Sequence, residues 1–209
     1  MKKFLTLLML ALFLMINQTS AAIERGTPVA VMDFGTHPGA VPIDINVLNA
    51  GRAANEYVTV RIIKSEKLDV MDRGMVDDVI ASEGINVTGL IVPNTAKRIG
   101  ELLNVRYIIY GNVNDVTLSD VGTSVLNSGV TVCTVKSHVI MRIMDVTTGQ
   151  IISASKGEGK SKSSFVKLSG GPILTVEVGT KKVTQDSVHN AIEQASFQAV
   201  DILLERLQL

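Results

Sequence analysis

The stretch Pro93–Val113, PNTAKRIGELLNVRYIIYGNV, decides the fold. Its first half has the period of a helix: Ala96, Ile99, Leu102 and Leu103 recur at the spacing that gathers apolar side chains on one stripe. Asn94 or Thr95 is placed to cap it by accepting from the first free backbone N–H groups. Asn104, a residue that tolerates left-handed backbone, stops it. The period then changes. Val105–Tyr110 is an unbroken apolar run rich in β-branched and aromatic residues, the pattern of a strand covered on both faces. Such a strand lies mid-sheet, so helices must be layered on a sheet.

Working outward, Thr27–Phe34 reads as a further buried strand, and Gly35–Pro42, with its prolines and glycines, as a loop. Asp44–Lys64 is predicted helical, capped by Asp44, with Val47, Ala50, Ala54, Val58 and Ile62 on one face. Leu68–Asp72 is a short strand. Arg73–Glu83 is a helix with Met75, Val79 and Ile80 inward, ended by Gly84, and Ile85–Val92 is a connector. Beyond Val113 the texture becomes that of long hairpins. Thr117–Leu126 and Val130–Asp145 flank the turn signal Asn127–Ser128–Gly129, and Thr147–Thr148–Gly149 leads into Gln150–Gly157. Lys160–Ser164 reads as a polar, flexible connector. Phe165–Leu168 and Ile173–Val178 flank a second hairpin turn at Ser169–Pro172. Ser187–Leu207 closes the chain as an amphipathic helix, capped by Asp186 or Ser187, with Val188, Ile192, Ala195, Ala199 and Ile202 on its stripe. The predicted fold class is therefore α/β: a mixed β-sheet with flanking helices, extended by β-hairpins at about 117–137 and 160–182.

The chain has 209 residues, with Lys plus Arg and Asp plus Glu both at 20, so no overall field draws it to nucleic acid or acidic lipid. Aromatic residues make up 4% and Trp is absent, which is thin for a base-stacking surface. Lys2 and Lys3, the apolar run Phe4–Ile16 and the small residues ending at Ala22 have the three parts of a secretory signal peptide. The expected organisation is a signal peptide over residues 1–22 and a single domain over 23–209. Cleavage is expected after Ala21 or Ala22, and the uncleaved alternative is a membrane anchor. No cysteine lies near that point for lipid attachment, so the expected location is the periplasm, with association with the outer membrane as the alternative.

Catalytic patterns do not assemble. Asp33–Phe34–Gly35 matches a kinase metal-binding tripeptide but lacks its companion motifs. Gly159–Lys160–Ser161 resembles the end of a phosphate loop, yet Ala154 stands where that loop's first glycine belongs and no helix follows. His37, His138 and His189 show no metal-ligand spacing. Cys133 is the single cysteine, and its odd separation from His138 along one strand puts the two on opposite faces. Asp77–Asp78 reads as a solvated helix face. The sequence thus predicts a non-enzymatic protein with no catalytic, cofactor-binding or metal-ligating residues and no cofactor.

Several blocks resemble one family. VAVMDFG at Val29–Gly35, LDVMDRGMVDDVIASEG at Leu68–Gly84, TAKRIGELLNVRYIIYGNV at Thr95–Val113 and VIMRIMDVTTGQIISASKGEG at Val139–Gly159 are similar, in order, to the curli-secretion family typified by CsgG. The final helix continues the likeness. The resemblance implies an anticodon-binding-type α/β sandwich in the periplasm, non-enzymatic and partnered by proteins, through self-association or contact with other envelope proteins. In CsgG-type proteins such domains form a ring whose hairpins enter the outer membrane. In LpoB-like relatives the domain instead binds and activates a peptidoglycan synthase. Both readings stay open on the hairpins here. Val121, Thr123 and Val125 with Val130 and Val132 opposite outline an apolar face. Against that, no aromatic residue lies between Gly111 and Ser164 to make an interfacial girdle, and Lys160, Lys162 and Lys167 make the second hairpin polar.

Overall fold

The computed structural model describes residues 23–36, 47–85, 93–125, 128–169, 175–178 and 185–209. The anticipated signal peptide, the Asp44 cap and the turn at residues 170–172 lie outside them. Among the described residues seven strands form one sheet: β1 (Thr27–Val31), β2 (Gly35–Thr36), β3 (Leu68–Val70), β4 (Tyr107–Val125), β5 (Ser128–Asp145), β6 (Gln150–Ser169) and β7 (Thr175–Val178). The order is β3-β1-β4-β5-β6-β7, with β2 paired to β4. β1 runs parallel to β3 and β4, and β4 to β7 form an antiparallel meander, so the sheet is mixed as expected.

Among the described residues four helices cover it: α1 (Val47–Ser65), α2 (Arg73–Ser82), α3 (Pro93–Leu103) and α4 (Gln185–Arg206). Strand alternation divides the core between the two faces. Val29, Val31, Tyr107 and Ile109 point to one side, where they pack with Ala54, Val58 and Ile62 of α1 and Ile192, Ala195 and Leu203 of α4. Ala30, Met32, Ile108 and Tyr110 point to the other, against Val76 of α2 and Ala96, Ile99 and Leu103 of α3. Tyr107 to Tyr110 are all buried, as the unbroken apolar run required.

The local readings need several corrections. α3 begins at Pro93, so Asn94 and Thr95 lie inside the first turn instead of capping it. Proline suits that first position because its missing N–H would have no helical partner anyway. Asn104 does take the left-handed conformation that ends the helix, at φ 53°. In the stripes, Leu102 and Met75 are 43% and 53% exposed, and Val76, 3% exposed, takes the inward place on α2. α4 begins at Gln185, so Asp186 and Ser187 fall within its first turn. Ser128 and Gly129 belong to β5, because Val125 pairs with Ser128 and leaves a two-residue connection. The largest correction is at Lys160–Ser164. These residues are continuous strand, paired residue by residue with Lys136 down to Val132 of β5. The two expected hairpins are therefore not separate: β4, β5, β6 and β7 zip into one arm.

Candidate functional site

The arm emerges where α4 stops covering the sheet. At 18 to 20 residues, β4, β5 and β6 are each several times the usual strand length, about 60 Å at 3.3 Å per residue. Among the described residues, helices clamp only their inner halves.

The clamp is unusually close. Gly157 and Gly159 face α4, and a Cβ built on Gly159 would fall 1.8 Å from the carbonyl oxygen of Ala191, one on Gly157 1.9 Å from that of Ala195. With alanines opposite glycines, helix backbone rests directly on strand backbone. Ser155 Oγ donates to the Ala199 carbonyl at 2.7 Å. The outer edge of β6 is satisfied from the same helix. Gln198 Oε1 accepts from the Glu158 N–H at 2.6 Å, Gln194 Oε1 from the Lys160 N–H at 3.3 Å, and Arg206 donates to the Ala154 carbonyl. Farther out, from Val166 to Ser169, that edge is paired by β7.

On the opposite face, the root of the arm is tied by charge. A bulge between Val113 and Asp115 shifts the β4 register so that Asp115 pairs with His138, which pairs with Glu158. His138 Nδ1 lies 2.5 Å from Asp115 Oδ1, its Nε2 lies 3.3 Å from Glu158 Oε1, and Lys156 Nζ donates to Glu158 at 3.2 Å. The hydrogen bond from Lys156, then the charges of Lys156 and His138, hold the Glu158 carboxyl below its usual value of 4.5. A depressed carboxylate stabilises the fold above its unfolded pKa and loses that contribution as pH falls through the folded one. Glu158→Gln should therefore lower the thermal midpoint at pH 6–7 by a small amount, and the gap from the parent should close below about pH 4. Thermal melts of both proteins across that range measure it. A gap that widens in acid would contradict the ladder.

Farther out, the register sorts the positions by chemistry. One face of the ladder carries the rows Val121–Val132–Ser164, Thr123–Val130–Val166–Val178 and Val125–Ser128, with Leu168 opposite Val176. The other carries Asp120–Cys133–Ser163, Gly122–Thr131–Phe165 and Ser124–Gly129–Lys167–Glu177. Cys133 and His138 do fall on opposite faces. The apolar rows expected on the first hairpin are continued by β6 and β7, whose contribution the reading of Lys160–Ser164 as a connector had hidden.

The other singled-out residues do not form a site. Arg73 holds Asp33 through two contacts of 2.8 and 3.1 Å and also faces Asp77 at 3.4 Å, so the Asp33–Phe34–Gly35 carboxylate has a structural partner. His189 contacts Tyr57 at 3.3 Å on the helical side, far in the chain from His138, and His37 lies outside the described residues. Among the described residues no group of three His, Cys, Asp or Glu side chains could hold a metal. An open groove of about 380 Å³ lies between the C-terminal ends of α1 and α4. Across it Arg61 and Asp201 satisfy each other at 2.8 and 2.7 Å. Among the described residues no helix is long and apolar enough to cross a membrane, which does not bear on crossing by strands.

Comparison with solved structures finds similar chains at low identity. The LpoB C-terminal domain from Salmonella enterica is 15% identical, with a TM-score of 0.46 over 71% of this chain and 90% of that one. A PelC dodecamer variant from Paraburkholderia phytofirmans is 16% identical, with a TM-score of 0.43 over 92% and 96%. Lipoprotein GNA1162 from Neisseria meningitidis is 13% identical, with a TM-score of 0.43 over 66% and 84%. No curated protein matches. Residues 12–208, nearly the whole chain, match the family described as curli production assembly/transport component CsgG. The chain belongs to the CsgG family.

Proposed function

We propose that this protein is an exported, non-enzymatic envelope component for assembly or transport. It self-associates through the α/β body and applies its arm to the outer membrane. Membership of the CsgG family supports the general role. The observation that carries the finer reading is the segregation of apolar rows, Val121–Val132 to Val125–Ser128, onto one face of the arm tip. Those rows extend roughly 13 Å along the strands, about the depth of one leaflet of a 30 Å hydrocarbon core. Alternation of apolar and polar positions is what a strand needs to face lipid on one side only. Removal of residues 1–22 on export, leaving 23–209 as one domain, is part of the same reading.

The test is the mass of the purified protein in buffer and in detergent, together with fractionation of the bacterial envelope. A multi-subunit particle in detergent and recovery with outer membranes are expected. A single small species in both solvents, recovered only in the soluble fraction, would instead favour a soluble module that docks on an envelope enzyme.

A further inference from the structure

Between the apolar tip and the Asp115–His138–Glu158 ladder lies a belt of cations on the same face. Lys136 of β5 stands directly opposite Lys160 of β6, in a row whose β4 member is Thr117. The next row outward holds Ser119, Thr134 and Lys162, so Lys162 lies diagonal to Lys136 and two residues from Lys160. All three lysines are exposed. Among the described residues none of them joins an ion pair. The nearest row's carboxylates are already engaged, Asp115 by His138 and Glu158 chiefly by Lys156 and His138, with a smaller attraction between Glu158 and Lys160.

Like charges set directly opposite each other on a sheet repel, and an isolated sheet gains nothing from them. Their repulsion is relieved by an anion that sits against all three. The anion's chemistry follows from the position. One step outward is the apolar face that the proposed function places in the membrane, so the belt falls at headgroup height, where lysine stems lie along apolar surface and ammonium groups reach the phosphates. We infer that Lys136, Lys160 and Lys162 form a docking belt for the phosphates of anionic lipids, setting the depth at which the arm rests. This inference rests on the membrane-contact reading, and its test separates the two.

Flotation of the purified protein is measured with phosphatidylcholine vesicles alone and with vesicles containing about one third phosphatidylglycerol. A basic side chain near such a surface changes partitioning about fivefold, so the parent should favour the anionic vesicles by about a hundredfold. Lys136→Gln, Lys160→Gln and Lys162→Gln combined should abolish that preference while leaving partition into phosphatidylcholine unchanged. The matching Lys→Arg protein should retain it, and roughly 0.5 M salt should suppress it. Equal partition of the parent into both vesicles, or a preference that survives the triple Gln change, overturns the belt and leaves the membrane reading intact. Flotation with neither vesicle overturns the membrane reading itself, as does binding only to an acidic polypeptide added in place of lipid.

Discussion

Gly159→Ala is expected to destabilise the protein by about 3 kcal/mol or more, lowering the thermal midpoint by roughly 6–12 °C. The added methyl group would sit 1.8 Å from the Ala191 carbonyl oxygen and 2.7 Å from the Ala195 nitrogen, both helix backbone. A side chain in the way can rotate, but a helix backbone must move as a unit. α4 would have to lift from β5 and β6, loosening Ile192, Ala195 and Ala199, all fully buried. Lifting would also stretch the bonds from Gln194 and Gln198 to the β6 edge. Ser161→Ala, two positions farther along the same face, should change stability by no more than about 0.5 kcal/mol. Urea denaturation of the three proteins measures the difference, and a Gly159→Ala variant as stable as its parent would rule out the backbone-on-backbone clamp.

The second large effect is expected on the arm, with the body untouched. Val132→Asp combined with Val121→Asp puts two carboxylates at directly paired positions on the apolar face. Burying charge at lipid depth is costly, so partition into neutral vesicles should fall by at least tenfold. The thermal midpoint should move by only a few degrees, because the rows lie outside the helix-covered core. The control is Ser124→Asp, on the other face of the ladder, which should partition like the parent. If both variants float equally well, the apolar rows do not face lipid.

The body was legible because its elements announce themselves locally. In Pro93–Val113 the apolar period switches from helix to strand within a few residues, and both elements formed, with Asn104 at the junction. The exact stripes were less legible. Met75 and Val76 are neighbours of similar character, and only the packing against α3 and the sheet decides which turns inward. The arm was half legible. Val121, Val125, Val130 and Val132 alternate within one turn's reach, so their shared face could be read directly. Lys160–Ser164 could not, because nothing in KSKSS favours a strand. It is extended because β5 offers it a ladder on one side, a relation set by residues about 30 positions away. Gly157 and Gly159 carried no local signal of their role either, since what requires them is α4, more than 30 residues downstream. The lysine belt needed the register itself, as Lys136 and Lys160 meet only when β5 and β6 are aligned.

The glutamine cover on β6 has a bearing on how the molecule can associate. A bare strand margin invites any extended peptide to continue the sheet, and repetition of that step gives open-ended fibres. Here the margin is engaged at Ala154, Glu158 and Lys160 by side chains from the molecule's own last helix. Copies of the body are therefore steered away from pairing along this margin, and lateral growth of the sheet is left to its other margins, the outer side of β3 and the far end of the arm.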